Sequence, residues 1–227
     1  EAATVARELH ALASHLADTS VKAEVAMVYD YDSLWATRIQ PSFDQNDYRQ
    51  ALHRYYDALL RAGVTVDMVP PGADLDGYRL VLAPQLYVLP DNVADALAEF
   101  VRKGGVLLND CRTGVKDATG LCHERTLPGK LAKPLGIRIE EYESLQSVME
   151  YALKGVKSMA GTFTATQYAD WITPESAQAL CGYDQWHLRP FAGVTRNTYG
   201  KGVGWYVGTI AKEDAFYDRL IAALLRD

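Results

Sequence analysis

Gly104-Gly-Val-Leu-Leu-Asn-Asp-Cys-Arg-Thr-Gly-Val-Lys-Asp117 is the stretch that decides the fold. Two glycines close a preceding helix. Val106, Leu107 and Leu108 then make an apolar run short enough to be a strand buried on both faces. The run ends abruptly in Asn, Asp, Arg, Lys and Asp. A buried strand that opens into a polar loop is how open α/β sheets present a site, because their crevices lie beyond the carboxyl ends of the strands.

Working outward, the same pattern recurs. Val25 to Val28, Val64 to Val69 and Leu80 to Leu82 read as further buried strands, the last two stopped by Pro70-Pro71 and Pro84. Between them, Asn46 to Leu60 carries an inward stripe of Tyr48, Leu52, Tyr55, Tyr56 and Leu59, with Asn46 or Asp47 as its cap and Gly63 at its end. A third helix starts from a cap at Asp91 and turns Val93, Leu97, Phe100 and Val101 inward. The order of hydrophobic strands and helices predicts an α/β fold with an open, mainly parallel sheet sandwiched by helices.

At the two ends the pattern changes. Thr4 to Leu16 is an amphipathic entry helix whose Val5, Leu9, Leu12 and Leu16 need a partner surface. Lys116 to Gly136 is loop-like, and Ile137 to Tyr142 resumes as a strand. Thr162 to Tyr168 alternates polar and apolar side chains, as a half-exposed strand does. Ala192 to Tyr199 and Val203 to Val207 flank Gly200-Lys201-Gly202 as a hairpin, and Asp214 to Leu225 closes the chain as a helix. We expect one α/β domain over 1–227, with 1–20 as entry helix and linker and 147–207 as a β-rich extension within it.

Composition narrows the function classes. The 227 residues are 48% hydrophobic, enough for a sizeable core, and the formal net charge is -6 with scattered Lys and Arg. That argues against nucleic acid or an anionic membrane as partner. No apolar run approaches the ~20 residues of a membrane span. Three cysteines without a C-x-x-C pair suit a reducing, cytoplasmic compartment and not a zinc site. The chain begins Glu1-Ala-Ala-Thr, without initiator Met or signal peptide, so we expect a segment of a longer polypeptide.

Candidate chemistry is thin. Cys111 follows a buried strand as a nucleophile would, but Asp110 and Arg112 flank it where an elbow has glycines, and nothing in the spacing selects His123 or His187 as its base. Neighbouring Glu140 and Glu141 point to opposite strand faces and make no glycosidase pair. Asp30 and Asp32, at a strand end, suit capping or salt-bridge roles better than acid-base work. Gly200 to Gly204 lacks the Lys-Ser/Thr ending of a phosphate loop. Most of the tyrosines fall on helix or strand faces and read as core. No catalytic, cofactor-binding or metal-binding residue is predicted, and no cofactor.

Four ordered stretches carry a resemblance. They are Tyr29-Asp-Tyr-Asp-Ser-Leu-Trp-Ala36; Val69-Pro-Pro-Gly-Ala-Asp-Leu-Asp-Gly-Tyr-Arg-Leu-Val-Leu-Ala-Pro84; Arg112-Thr-Gly-Val-Lys-Asp117 with Leu127-Pro-Gly129 and Ile139-Glu-Glu-Tyr142; and Val194-Thr-Arg-Asn-Thr-Tyr-Gly-Lys-Gly202 with Tyr206-Val-Gly-Thr209. Together they resemble the middle domain of family 42 glycoside hydrolases, the bacterial and archaeal β-galactosidases, from about Lys22 to the end. The resemblance implies a fold like class I glutamine amidotransferases, of flavodoxin-like type, without its nucleophile. It further implies a role in trimerisation and scaffolding. The partners implied are the enzyme's own catalytic barrel and the neighbouring subunits of a homotrimer, with the galactoside met only through the parent enzyme. Two alternatives stay open: a stand-alone amidotransferase-like cysteine hydrolase, and a sugar-binding module.

Where the chain would meet other protein, we expect the loops after the first and fourth strands to be neighbours and to form one surface. Asp30, Asp32, Trp35, Arg38, Arg112, Lys116 and Asp117 are its candidate residues, a mixture of aromatic and arginine side chains with pairable charge that interface centres favour.

Overall fold

Strands made only of buried apolar residues have to be covered on both faces. In the computed structural model, which describes residues 2–227, four of the predicted runs do pair in parallel. They are β1 (Val25–Val28), β2 (Val66–Val69), β3 (Leu80–Ala83) and β4 (Val106–Asp110). β1 lies between β2 and β3, and β3 lies against β4. Every residue of β1, β3 and β4 is buried, whereas β2, at the end of the row, is half-buried.

The helices are α1 (Ala2–Leu16), α2 (Tyr31–Ile39), α3 (Tyr48–Arg61), α4 (Asp91–Lys103), the short α5 (Ala132–Leu135) and α6 (Asp214–Leu224). The remaining strands are β5 (Ile137–Ser144), β6 (Tyr151–Gly155), β7 (Gly161–Pro174), β8 (Gln178–Tyr183), β9 (Ala192–Tyr199), β10 (Gly202–Val207) and β11 (Thr209–Ala211). Among the described residues all strands join one sheet of 11, in the order β11-β7-β6-β8-β9-β10-β4-β3-β1-β2, with β5 paired to β7.

The sheet is therefore mixed. β10 runs parallel to β4 and antiparallel to β9, so it is the seam between a parallel half and an antiparallel half. The hairpin expected over 192–207 is present, but its second strand belongs to the parallel row. Gly202 allows this: a Cβ there would meet the carbonyl oxygen of Val101 at 2.2 Å, so only glycine lets the turn lie against the end of α4. The Gly-Lys-Gly run is thus a packing device.

One core lies on each face. Leu34, Tyr48, Tyr55, Trp205, Phe216 and Leu220 pack with Met27, Leu82 and Leu108 on the first. Val93, Leu97, Val101, Leu131 and Leu135 pack with Val28, Val81 and Leu107 on the second. No residue of α1 is buried, and its apolar stripe is about half exposed along its length.

Three local expectations need correction. The segment after β1 is α2 and not a loop, because Asp30 accepts hydrogen bonds from the backbone N–H groups of Asp32 and Ser33 and so caps a helix. The cap position of α4 is Pro90, not Asp91. The Asp91 carboxylate is instead bound by Arg125 at 2.7 and 3.0 Å, which holds its pKa down to about 2. The third is the placement of the loops after β1 and β4, which the strand order sets apart by β3.

Candidate functional site

The carboxyl edge of the parallel row begins with a buried acid. Asp110 ends β4 and accepts the backbone N–H of Gln85 at 2.5 Å and the Tyr55 hydroxyl at 3.0 Å. Burial pushes its pKa up to about 7. A second buried acid, Asp170 of β7, accepts the Tyr206 hydroxyl at 2.8 Å, and burial raises it likewise to about 7.

Cys111 follows, fully buried among Phe43, Tyr168 and Ile210. Its backbone N–H donates to Val207 at 2.8 Å, which holds the turn against the seam strand. Burial, with Asp110 and Asp170 nearby, pushes the thiol well above its ordinary range. A nucleophile needs the thiolate and a base. The two histidines that could have served are engaged elsewhere, His123 with the Leu89 carbonyl and His187 with Glu143. The arrangement does not support cysteine chemistry.

Arg112 has a φ of +71°, a left-handed conformation rare outside glycine. Its guanidinium lies inside the protein between three rings, 5.1 Å from Tyr87, 5.0 Å from Tyr142 and 5.8 Å from Tyr168. This is a cation-π box built from three distant parts of the chain. The tyrosine hydroxyls of 168 and 87 accept its NH groups at 3.4 and 3.3 Å.

The loops after β1 and β4 are not direct neighbours. β3 stands between β1 and β4 in the sheet, so the segment after β3 separates them. That segment is bonded to both. Ser33 Oγ donates to Asp30 and accepts the N–H of Val88 at 2.9 Å. On the other side, Gly114 N–H donates to Leu86, Lys116 N–H to Tyr87, and Leu89 N–H back to Lys116.

The predicted residues thus sort into two groups. Asp30 and Arg112 are buried and tie the edge together. Asp117 is folded onto its own turn, accepting from Thr119 and Leu121, and the Thr119 bonds hold its carboxyl below the usual range. Lys116 donates to the Gly120 carbonyl and lies 5.9 Å from the Tyr87 ring. Asp32, Trp35 and Arg38 face outward on α2. There Trp35 is 55% exposed and rests on Tyr31, 59% exposed, at a ring separation of 5.8 Å, with Ile39 86% exposed beyond.

Sequence reasoning missed Tyr87, Tyr142 and Tyr168 as the box around Arg112, and the Asp170–Tyr206 pair. No local signal marks them, since only the sheet order brings them together. It also missed α2, for which the Asp30-x-x-Ser33 start was an available sign. Glu140 is engaged by Arg138 on its own strand and Glu141 by the backbone of Tyr142. Among the described residues no group of three or more His, Cys, Asp and Glu is placed to hold a metal, and no helix is long and apolar enough to cross a membrane.

Comparison with known proteins gives the whole chain its setting. Residues 23–227 match the family model described as the β-galactosidase trimerisation domain. The β-galactosidase BgaH of Haloferax lucentense is 38% identical over 225 residues, covering 99% of this chain and 32% of that protein. BgaA of Clostridium cellulovorans is 32% identical over 226 residues, covering 99% of this chain and 34% of that protein. The crystal structure of a β-galactosidase from Bacillus circulans sp. alkalophilus superposes with a TM-score of 0.91 at 28% identity, over 97% of this chain and 33% of that one. The chain thus spans about a third of the length of these relatives. With the family model covering all but the entry helix and the residues just after it, the chain belongs to the β-galactosidase trimerisation domain family.

Proposed function

We propose that this chain works as the trimerisation and scaffold part of a longer β-galactosidase, which hydrolyses terminal non-reducing β-galactosides with a catalytic barrel outside these residues. The observation that carries the reading is the extent of the match: residues 23–227 correspond to the trimerisation domain, and relatives that share nearly this whole chain are three times as long. The chemistry of the edge supports it, because the one thiol at the strand end is buried and held well above its ordinary range.

In this reading the contact surface is the exposed side of the carboxyl edge, with Trp35 and Arg38 of α2 at its centre and Asp32, Lys116 and Asp117 around it. Asp30 and Arg112 act from inside, by capping α2 and by fixing the turn after β4. The partners are neighbouring copies and the enzyme's own barrel. Three unpaired thiols favour a reducing, cytoplasmic setting. We further propose that the parallel row β2-β1-β3-β4-β10 is amidotransferase-like, with Cys111 just past β4 as a silent counterpart of the nucleophile. Superposition on a class I amidotransferase checks that point, and a nucleophile falling away from Cys111 would count against it.

The functional test is a deletion. Removing residues 23–227 from the longer polypeptide is expected to leave a monomer in sedimentation. A trimer that persists without them would overturn the reading.

A further inference from the structure

Every residue from 2 to 22 is exposed, the whole of α1 included. The helix nevertheless has a built end. Ala17 N–H donates to the Ala13 carbonyl, Asp18 turns left-handed at a φ of +60°, and the Thr19 hydroxyl donates to the Leu16 carbonyl at 2.8 Å. Residues 20 to 24 then lead into β1. A helix of 15 residues by itself is marginal in water and takes its stability from covering an apolar face. Among the described residues none buries the stripe of α1: Val5, Leu9, Leu12 and Leu16 are 53, 57, 49 and 52% exposed.

The shape of the stripe says what kind of surface fits it. Written as heptads from Ala2, the helix has Ala2, Leu9 and Leu16 at a, Val5 and Leu12 at d, and Ala6 and Ala13 at e. An a/d/e stripe is the broad face of a helix that lies on a globular surface. A coiled coil between two copies has a narrower a/d seam, flanked by charges at e and g. Here both e positions are alanine, so the pattern favours a folded unit over a second copy of the same helix.

The position of α1 in the relatives says which unit. The helix lies wholly outside the matched residues 23–227, on their amino side. Yet the likeness to BgaH covers 99% of this chain, so that enzyme shares most of α1. The Bacillus circulans structure superposes over 97% of this chain, which leaves aside fewer residues than α1 contains. Part of the helix therefore keeps this place in a whole enzyme, although the trimerisation unit does not bury it.

We propose that α1 is the last helix of the folded unit that leads into this domain, docked by its a/d/e face on that unit's apolar surface. The boundary between the two units then falls at 17–24, and the single domain expected over 1–227 becomes one domain preceded by a helix of another. The inference rests on the reading of this chain as part of a longer polypeptide. It commits the occupant of the stripe to that same polypeptide and not to a second copy.

Amide hydrogen exchange on the full-length polypeptide tests it. Exchange in α1 is expected to be slowed at least about a hundredfold relative to an unstructured chain, the effect of fully covering two of its four large stripe side chains. The protection should be the same in the trimer and after dilution to monomers. Leu9→Asp with Leu12→Asp should abolish it while β1, β3 and β4 exchange as before, and the milder Leu9→Ala should lower it in α1 by roughly tenfold. Free exchange of α1 in the unmodified polypeptide would overturn the inference. So would protection that disappears on dilution, which marks a second copy, or a variant that also exposes β1, β3 and β4, which marks α1 as part of this domain. Protection of α1 in a polypeptide that forms no trimer would uphold this inference and overturn the trimerisation reading.

Discussion

Asp30 and Trp35 are five residues apart in sequence, yet the structure puts them to opposite uses. Asp30 is buried, caps α2 and binds Ser33, which in turn holds Val88. Trp35 lies on the outer face of the same helix and rests against the ring of Tyr31. The same division separates Arg112, enclosed by three tyrosines, from the half-buried Lys116 four residues later. The contrast teaches that a polar, aromatic run at a strand end is not one site. Its inner members are committed to the fold, and its outer members stay at the surface, where we propose that they meet other protein. Inner substitutions should therefore change stability, and outer ones assembly.

The largest effect is expected at the centre of the inner group. Tyr168 is fully buried, stacks with Tyr142, packs on Phe43 and faces Arg112. Tyr168→Ala should cost about 3 to 5 kcal/mol in denaturant unfolding, the usual range for removing a buried aromatic ring. A loss below about 1 kcal/mol would mean that the inner group is not structural.

The next effect is set by pH. Asp110 and Asp170 have folded pKa values raised by burial to about 7. Between the ordinary carboxylate value near 4 and about 7, the folded protein holds protons that the unfolded chain has released. Stability contributed by these two groups is therefore full below that window, falls as pH rises through it, and stays at its lower level above. Asp170→Asn should flatten part of this slope when unfolding midpoints are compared at pH 5 and pH 8. A slope as steep in the variant would remove Asp170 from the account.

A smaller change is expected at the cap. Asp30→Ala removes the acceptor for two backbone N–H groups and the Ser33 hydroxyl, and should cost about 1 to 2 kcal/mol. Amide hydrogen exchange should show α2 opening first. Equal exchange in α2 and α3 would show that the cap does not control the helix on which the outer group sits.

How much of this could be read from the chain follows the range of the forces involved. β1, β3, β4, α3, α4 and α6 were legible because burial on one stripe or on both faces leaves a local period. Gly63 was legible as the stop after α3, where its φ is +70°. α2 was not, because nine residues hold too few turns to show a stripe and its one tyrosine and one tryptophan, Tyr31 and Trp35, point outward. The parallel pairing of β10 with β4 was hidden, since it joins residues about a hundred positions apart. For the same reason the box around Arg112 could not be seen: Tyr87, Tyr142 and Tyr168 meet only after the sheet order is set. The outward residues Trp35 and Arg38 were legible as surface candidates, but not their separation from the loop after β4 by Gln85 to Leu89.

The smallest expected effect on stability decides the most. Trp35→Ala with Arg38→Ala touches only the outer face of α2, so the free energy of unfolding should change by less than about 0.5 kcal/mol. Light scattering on the full-length polypeptide then tests the central claim directly. The predicted result is a molar mass that falls from three protomers to one while the fold is retained. A mass that stays at three protomers would contradict the account.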